Sequence, residues 1–388
     1  MTWVTQAPGR CPGGRSDPLQ AVVVKPGFVV DVAEVPEPPC GPEDVVIAVR
    51  RVQLSVTECM LMAGADVALS DQLARRLADG PLQFGGHEFA GEVLALGTAV
   101  DPAVSGLRVG QRVTAVETLP CRTCAACRRG WASACVAPAI IGFTRPGALA
   151  ERVVVPASAV VPVPEGVSLS AAAAIQPLAG AVHAHAALGV RPGESVLVLG
   201  GGVMGLLGVA VARHGNAGLV ALSTRSPRKL ELGRRFGADA LIDAGTDVLA
   251  TALELTDGIG FDVVVETAGG SADLGLAGLS TIELAAQAVR RGGRIAMVSV
   301  LDAHAPLPTG LLRSKSVTLV HPRSGAGDYA SAASVFEHSF GLVQRNLVNP
   351  DALLTHTVQG LGAIHEAMDI TQHKSRYGAI NPAQMELS

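Results

Sequence analysis

Apolar residues make up 48% of the 388-residue chain, yet no unbroken apolar run reaches the eighteen or so residues of a membrane span. A spanning helix is excluded, and those residues must fill internal cores. A basic face is also missing. Net charge is only −4, with Arg and Lys scattered, so neither nucleic acid nor an anionic membrane is expected as a partner. Lysine is scarce, at positions 25, 229, 315 and 374 among 30 basic residues, and with abundant Ala, Gly and Val this reflects GC-rich codons. The first eighteen residues, MTWVTQAPGRCPGGRSDP, hold no apolar segment of the secretory kind and read as a disordered extension. There is no internal repeat. What remains is a cytoplasmic protein with a small-molecule substrate, long enough for two domains.

Against that background four cysteines stand out. Cys121, Cys124, Cys127 and Cys135 follow a C-x₂-C-x₂-C-x₇-C pattern. Four thiolates this close can surround one Zn²⁺ and leave no coordination position open, which makes the expected site structural rather than catalytic. A pair of disulfides in a secreted loop is the competing reading, and nothing else in the chain suggests export. Cys11, Cys40 and Cys59 have no spacing relation to the cluster and read as free thiols.

Periodicity divides the chain. From about Gln20 to Pro177, short Val-rich runs (AVVVK, DVVIAV, RVTAVE, ERVVVP) alternate with Pro, Gly and Asp turns, the pattern of an all-β segment. From Pro192 the runs SVLVLG, GLVALS, ADALIDA, FDVVVETA, RIAMVSV and VTLVHP alternate with helical stretches, which predicts an α/β, doubly wound parallel sheet. A helical stretch and a terminal strand, YGAINP, are expected after His321. The stretch Leu61–Gln83 holds a possible amphipathic helix and could be a lid over a cleft or a partner surface.

Gly200, Gly202 and Gly205 form G-x-G-x-x-G between SVLVL and a helix opening with Val203 and Met204. The setting gives the motif its meaning: a tight turn, a close backbone approach to a pyrophosphate and close helix packing, with the helix N-terminus facing the anion. The second strand ends ALSTRSPRK. Ser223 or Thr224 takes the position where an NAD site has an acid, and Arg225 and Lys229 follow. Hydroxyls and a guanidinium attract a 2′-phosphate that a carboxylate would repel, so the expected cofactor is NADP(H). Ala268 and Val300, after the fourth and fifth strands, complete the expected cofactor contacts.

GGHEFAGEV, the cysteine cluster, PLAGAVHA, VRPGESVLVLGGGVMG, KLELGRRFGAD and GGRIAMVSV occur in an order and spacing that resemble the medium-chain dehydrogenase/reductase superfamily, the zinc-type alcohol and polyol dehydrogenases, over residues 20–388. The resemblance implies a GroES-like β catalytic domain, residues 19–178 and 323–388, with a structural-zinc lobe at 118–138. A Rossmann domain at 179–322 would interrupt it. It also implies a homodimer or homotetramer, joined through the edge of the Rossmann sheet at Arg294–Val300.

The resemblance breaks at the catalytic metal. Aligned on the family pattern, Ser55 replaces a ligating Cys, Gln176 replaces a ligating Glu or Cys, and Glu58 stands for an Asp behind the metal, while His87 is kept. Neutral Ser and Gln are poor zinc ligands. One reading is an oxidoreductase that polarises substrate through Ser55, Thr57, His87 and Gln176, with Thr57 or His87 as proton donor. The other keeps zinc at His87 with Glu88, Glu58 or Cys59 moving in, Glu88 being the nearer. A carbonyl or alcohol substrate, polyhydroxylated or from secondary metabolism, is expected. Conjugate reduction of an enone or iminium, transient redox in an epimerisation, and a non-catalytic dinucleotide sensor remain open. His183 and His185, on a predicted helix, read as structural.

Overall fold

The computed structural model describes residues 18–67, 69–269, 280–301, 305–322 and 332–388. Cys11 and nearly all of the expected N-terminal extension lie outside them.

The N-terminal Val-rich runs form two sheets. Strands Val29–Val35, Leu19–Lys25 and Leu82–Gln83 make one. The other runs Val160–Pro162, Arg112–Ala115, Glu88–Leu96, Asp44–Gln53, Gln384–Glu386, Thr357–Gln359, with Arg152–Pro156 also on Asp44–Gln53. The chain end therefore returns to this sheet, Met385 pairing with Val52. Between the sheets lies a core of β-branched and aromatic side chains, including Val22, Ile47, Val52, Phe84 and Phe89, as expected of pleated faces that pack against each other. Helices interrupt the expected all-β segment: Val56–Met62, Ser70–Leu77 and Leu169–Ala173. Leu73 and Leu77 are buried in the core and Leu82 pairs with Val24, so the middle of Leu61–Gln83 is anchored, not a free lid.

The second unit is a six-stranded parallel sheet in the order Ala240–Asp243, Leu219–Thr224, Ser195–Leu199, Phe261–Glu266, Val289–Met297, Thr318–Val320. Order reverses at Ser195–Leu199, the switch point where doubly wound sheets bind nucleotides. Its central strands are apolar almost throughout because helices cover both faces: Ile175–Leu188 and Val203–His214 pack on one, Ser280–Ala288 on the other. The fold is thus a GroES-like β domain plus a Rossmann domain. No helix of the described residues is long and apolar enough to cross a membrane.

Three expectations need correction. The RIAMVSV strand is internal, paired on both sides, because VTLV adds one more parallel strand and forms the edge. YGAINP is not a strand; Gly378, at φ +63°, ends a helical turn there and the strand follows at Gln384–Glu386. Cys40 is disulfide-bonded rather than free. Cys59 is a free, fully buried thiol.

Candidate active site

Glu58 organises the catalytic side of the cleft. Ser55 caps the helix Val56–Met62 by accepting from the Glu58 N–H at 3.0 Å, and Ser55 N–H donates back to Glu58 Oε2 at 3.1 Å. This is a capping box, legible as S-x-x-E in SVTE but overlooked in reading Ser55 as a substrate contact. Glu58 Oε1 accepts from the N–H groups of Gly86 and His87 at 2.8 and 3.1 Å and faces His87 Nδ1 at 2.5 Å. Gly86 has φ +84°, and a Cβ there would stand 2.2 Å from the Leu149 nitrogen, so only glycine lets this turn deliver His87.

With Nδ1 engaged, His87 presents Nε2, 3.6 Å from Glu88 Oε1. Burial alone would push the imidazolium down, but Glu58 at Nδ1, with Glu88 and Glu117 nearby, holds its pKa up at about 9. Burial pushes Glu88 up to about 7 against the opposing pull of His87. Burial would raise Glu58 too, but the His87 charge and its hydrogen bonds prevail and keep it below the usual range. The ring of Phe143 walls His87, centroids 5.0 Å apart.

Gln176, at the expected ligand position, donates from Nε2 to Glu117 Oε1 at 3.2 Å. Glu117 is the residue sequence reasoning missed. It ends the apolar run RVTAVE, is buried, and its Oε2 has no hydrogen-bond partner. A carboxylate at the end of such a run was the available signal. Thr57 is half-buried, one residue before Glu58, and no hydrogen bond joins its hydroxyl to His87. His185 is a packed structural group, its Nδ1 2.9 Å from the Ala181 carbonyl.

Ser55, Gln176, Glu58 and Cys59 are poorly suited, as they stand, to ligate a catalytic zinc beside His87. Ser55 is a cap, Gln176 is bound to Glu117, Glu58 is saturated, and burial pushes the Cys59 thiol far up. Among the described residues, the one group of three or more His, Cys, Asp or Glu with converging ligand atoms is Cys121, Cys124, Cys127 and Cys135, all within 4.8 Å of one another. Tetrahedral zinc–thiolate bonds place sulfurs about 3.8 Å apart, and Cys121 and Cys127 Sγ are 4.0 Å apart. Backbone N–H groups of Cys124, Cys127 and Cys121 point at the sulfurs of Cys121, Cys124 and Cys135, a polarity that suits thiolates.

On the nucleotide side each glycine has a separate reason. A Cβ on Gly205 would stand 1.8 Å from the Gly200 oxygen, and one on Gly200 would meet Thr267 and Ala268. Around a Cβ on Gly202 there is open space. Gly202 also starts the helix Val203–His214 with no side-chain cap, so the N–H groups of its first turn, at half-buried Val203 and Met204, can take an anion. Ser223 and Thr224 are buried at the strand end, and Thr224 Oγ1 would be 2.8 Å from a Cβ on Gly201, which sets its hydroxyl beside the glycine turn. Arg225 is exposed and Lys229 half-buried beyond it. Val300 is also exposed, past the end of its strand.

Residues 41–165 match the alcohol dehydrogenase GroES-like domain and residues 203–338 the zinc-binding dehydrogenase domain. L-threonine 3-dehydrogenase of Pyrococcus horikoshii is 31% identical over 358 residues, 92% of this chain and 96% of its own. The chain belongs to the medium-chain dehydrogenase/reductase superfamily. L-Threonine 3-dehydrogenase of Saccharopolyspora erythraea is 35% identical over 280 residues, 72% of this chain and 76% of its own. A zinc-binding dehydrogenase of Sinorhizobium meliloti bound to NADP superposes with TM-score 0.79 at 25% identity, covering 95% of this chain and 99% of that one. Within this superfamily the chain is an NAD(P)-dependent oxidoreductase for small alcohols or carbonyls.

Proposed function

We propose that the chain is an NADPH-dependent oxidoreductase that interconverts a small secondary alcohol and its carbonyl without catalytic zinc, and that it carries one structural Zn²⁺ on Cys121, Cys124, Cys127 and Cys135. The observation that carries the reading is the bond from Gln176 to Glu117, taken with the Ser55 cap. Both positions from which anionic ligands are missing are engaged in protein hydrogen bonds, and His87 is held as a cation by Glu58 with Glu88 and Glu117 nearby.

The bound cofactor supplies or accepts the hydride. His87 holds a proton on Nε2, Glu58 keeps the ring oriented through Nδ1, and Phe143 limits water around it. In reduction, His87 Nε2–H gives its proton to the substrate oxygen as negative charge develops there. In oxidation the neutral ring takes the hydroxyl proton. Glu88, pushed up to about 7 by burial, faces His87 Nε2 at 3.6 Å and is the nearest group with which that proton could be shared. Thr57 is the second donor able to reach a substrate hydroxyl. The names of the threonine dehydrogenase relatives support a hydroxyl on a small, polar molecule, in line with a polyhydroxylated or secondary-metabolite substrate.

Metal analysis and a turnover assay test this. One zinc per chain is expected, with transfer of deuteride from labelled NADPH to a panel of small hydroxycarbonyl compounds in enzyme purified without added zinc. Two tightly held zincs per chain, with activity lost when one is chelated, would overturn the zinc-free reaction.

A further inference from the structure

Two lysines from different domains are near enough for Lys229 to act on the charge of Lys374. Lys229 lies on the Rossmann helix Pro227–Arg235, and a Cβ on Gly201 would stand 3.0 Å from its own Cβ. Lys374 opens the short helix Lys374–Tyr377 of the catalytic domain and donates from Nζ to the Thr371 carbonyl at 3.1 Å. The two elements are pinned together, because Arg228 Nη1 donates to the Gly378 carbonyl at 2.7 Å.

Among the described residues no carboxylate balances this pair. Among the described residues neither ammonium takes part in an ion pair, and the charged or titratable groups that act on Lys374 are Lys229 and the Cys59 thiol. Burial pushes Lys374 down, Lys229 pushes it further, and it sits at about 8. Lys229 is lowered by burial and by Arg225. Asp369, the nearest acid in sequence, is already held by His373, Arg376 and Tyr377. Cations lowered by burial and by a neighbouring cation would each gain from an anion placed within reach of both.

We propose that Lys374, though carried by the catalytic domain, grips the 2′-phosphate of the cofactor together with Lys229 and Arg225, so that NADPH is held from both domains at this point. The inference rests on the NADPH reading. Arg225 acts on Lys229 and Lys229 acts on Lys374, and Arg225 directly follows the strand Leu219–Thr224, where the adenosine ribose of a Rossmann-bound dinucleotide lies. A phosphate there relieves the repulsion among these cations and adds charge-assisted hydrogen bonds from two sides.

Binding of NADPH, NADH, 2′,5′-ADP and 5′-AMP is measured by calorimetry for the wild type, Lys374→Met and Lys374→Arg, with the melting temperature of each variant. Lys374→Met is expected to weaken NADPH and 2′,5′-ADP roughly tenfold. NADH and 5′-AMP should change less than twofold, and Lys374→Arg should restore most of the loss. If the wild type prefers NADPH and Lys374→Met keeps that preference, the role of Lys374 is refuted while the cofactor reading stands. Equal losses for NADH and NADPH would refute it too, because Lys374 would then serve a part common to both. A wild type without preference would overturn both. The NADH titration and melting temperature separate any of these outcomes from misfolding.

Discussion

In the cysteine lobe, four sulfurs drawn from residues 121 to 135 lie within 4.8 Å of one another; in the candidate catalytic centre, Glu58, His87, Glu117 and Gln176 come from four separated segments. The lobe is written in local spacing, so a single lost cysteine would leave an open site that no neighbour can fill. The centre is assembled by tertiary packing, and its members can exchange roles as long as donors meet acceptors. Gln176 shows this. As an amide it cannot replace an anionic ligand, yet it satisfies one oxygen of a buried carboxylate that would otherwise be costly to hold.

The largest effect that would break this comparison is at His87. His87→Ala should lower turnover about 10²- to 10⁴-fold, the usual contribution of a general acid, with zinc content and NADPH affinity unchanged. Full activity in that variant would remove the centre from the chemistry. Cys124→Ser should do the reverse: zinc is lost and the melting temperature falls by several degrees, since a structural metal contributes to folding. Thermal unfolding with metal analysis checks it, and an unmoved melting temperature would mean that the lobe needs no metal.

A smaller effect is expected at Glu117. Glu117→Gln removes a carboxylate that supports the His87 charge, so the pH at which carbonyl reduction falls off should move below that of the wild type. An unmoved pH profile would show that Glu117 does not act on His87. Arg225→Ala should weaken NADPH about tenfold and spare NADH. The same fluorescence titration for both cofactors decides it, and equal losses would exclude Arg225 as the discriminator.

The smallest effect is the pH dependence of stability. His87 is raised from its ordinary 6.5 to about 9, so its contribution is fully present below about 6.5 and is lost as pH rises through about 9. Glu88, raised from 4.5 to about 7, acts in the same direction, because the folded state holds the proton longer. Glu58 is lowered and acts oppositely, its contribution being lost only as pH falls below its ordinary value of 4.5. Melting temperature should therefore decline between neutrality and pH 9, and less so in His87→Gln. Identical slopes for both proteins would show that His87 is not held as a cation.

Much of the architecture was legible. The Rossmann strands followed from apolar runs set by burial on both faces, and the glycine turn from its strand and helix flanks. The edge of that sheet was not legible, because RIAMVSV and VTLV are both short, largely apolar runs and only their pairing reveals which lies outside. The cap formed by Ser55 was passed over because its ligand position was considered before its helix, although Glu58 three residues on signals it. Glu117 and Lys374 lie far in sequence from the residues they face, and no local pattern links Glu117 to Gln176 or Lys374 to Lys229.

What the sequence determined alone is what short range decides: the cysteine spacing, the G-x-G-x-x-G turn, the absence of an acid at Ser223 and Thr224 after the second strand, and the neutral residues Ser55 and Gln176. Tertiary structure alone decided the charge state of His87 and the partners of the replaced residues. A buried pKa depends on which carboxylates are packed within a few ångströms and how far water is excluded, and both are properties of the folded core, where segments distant in the chain meet.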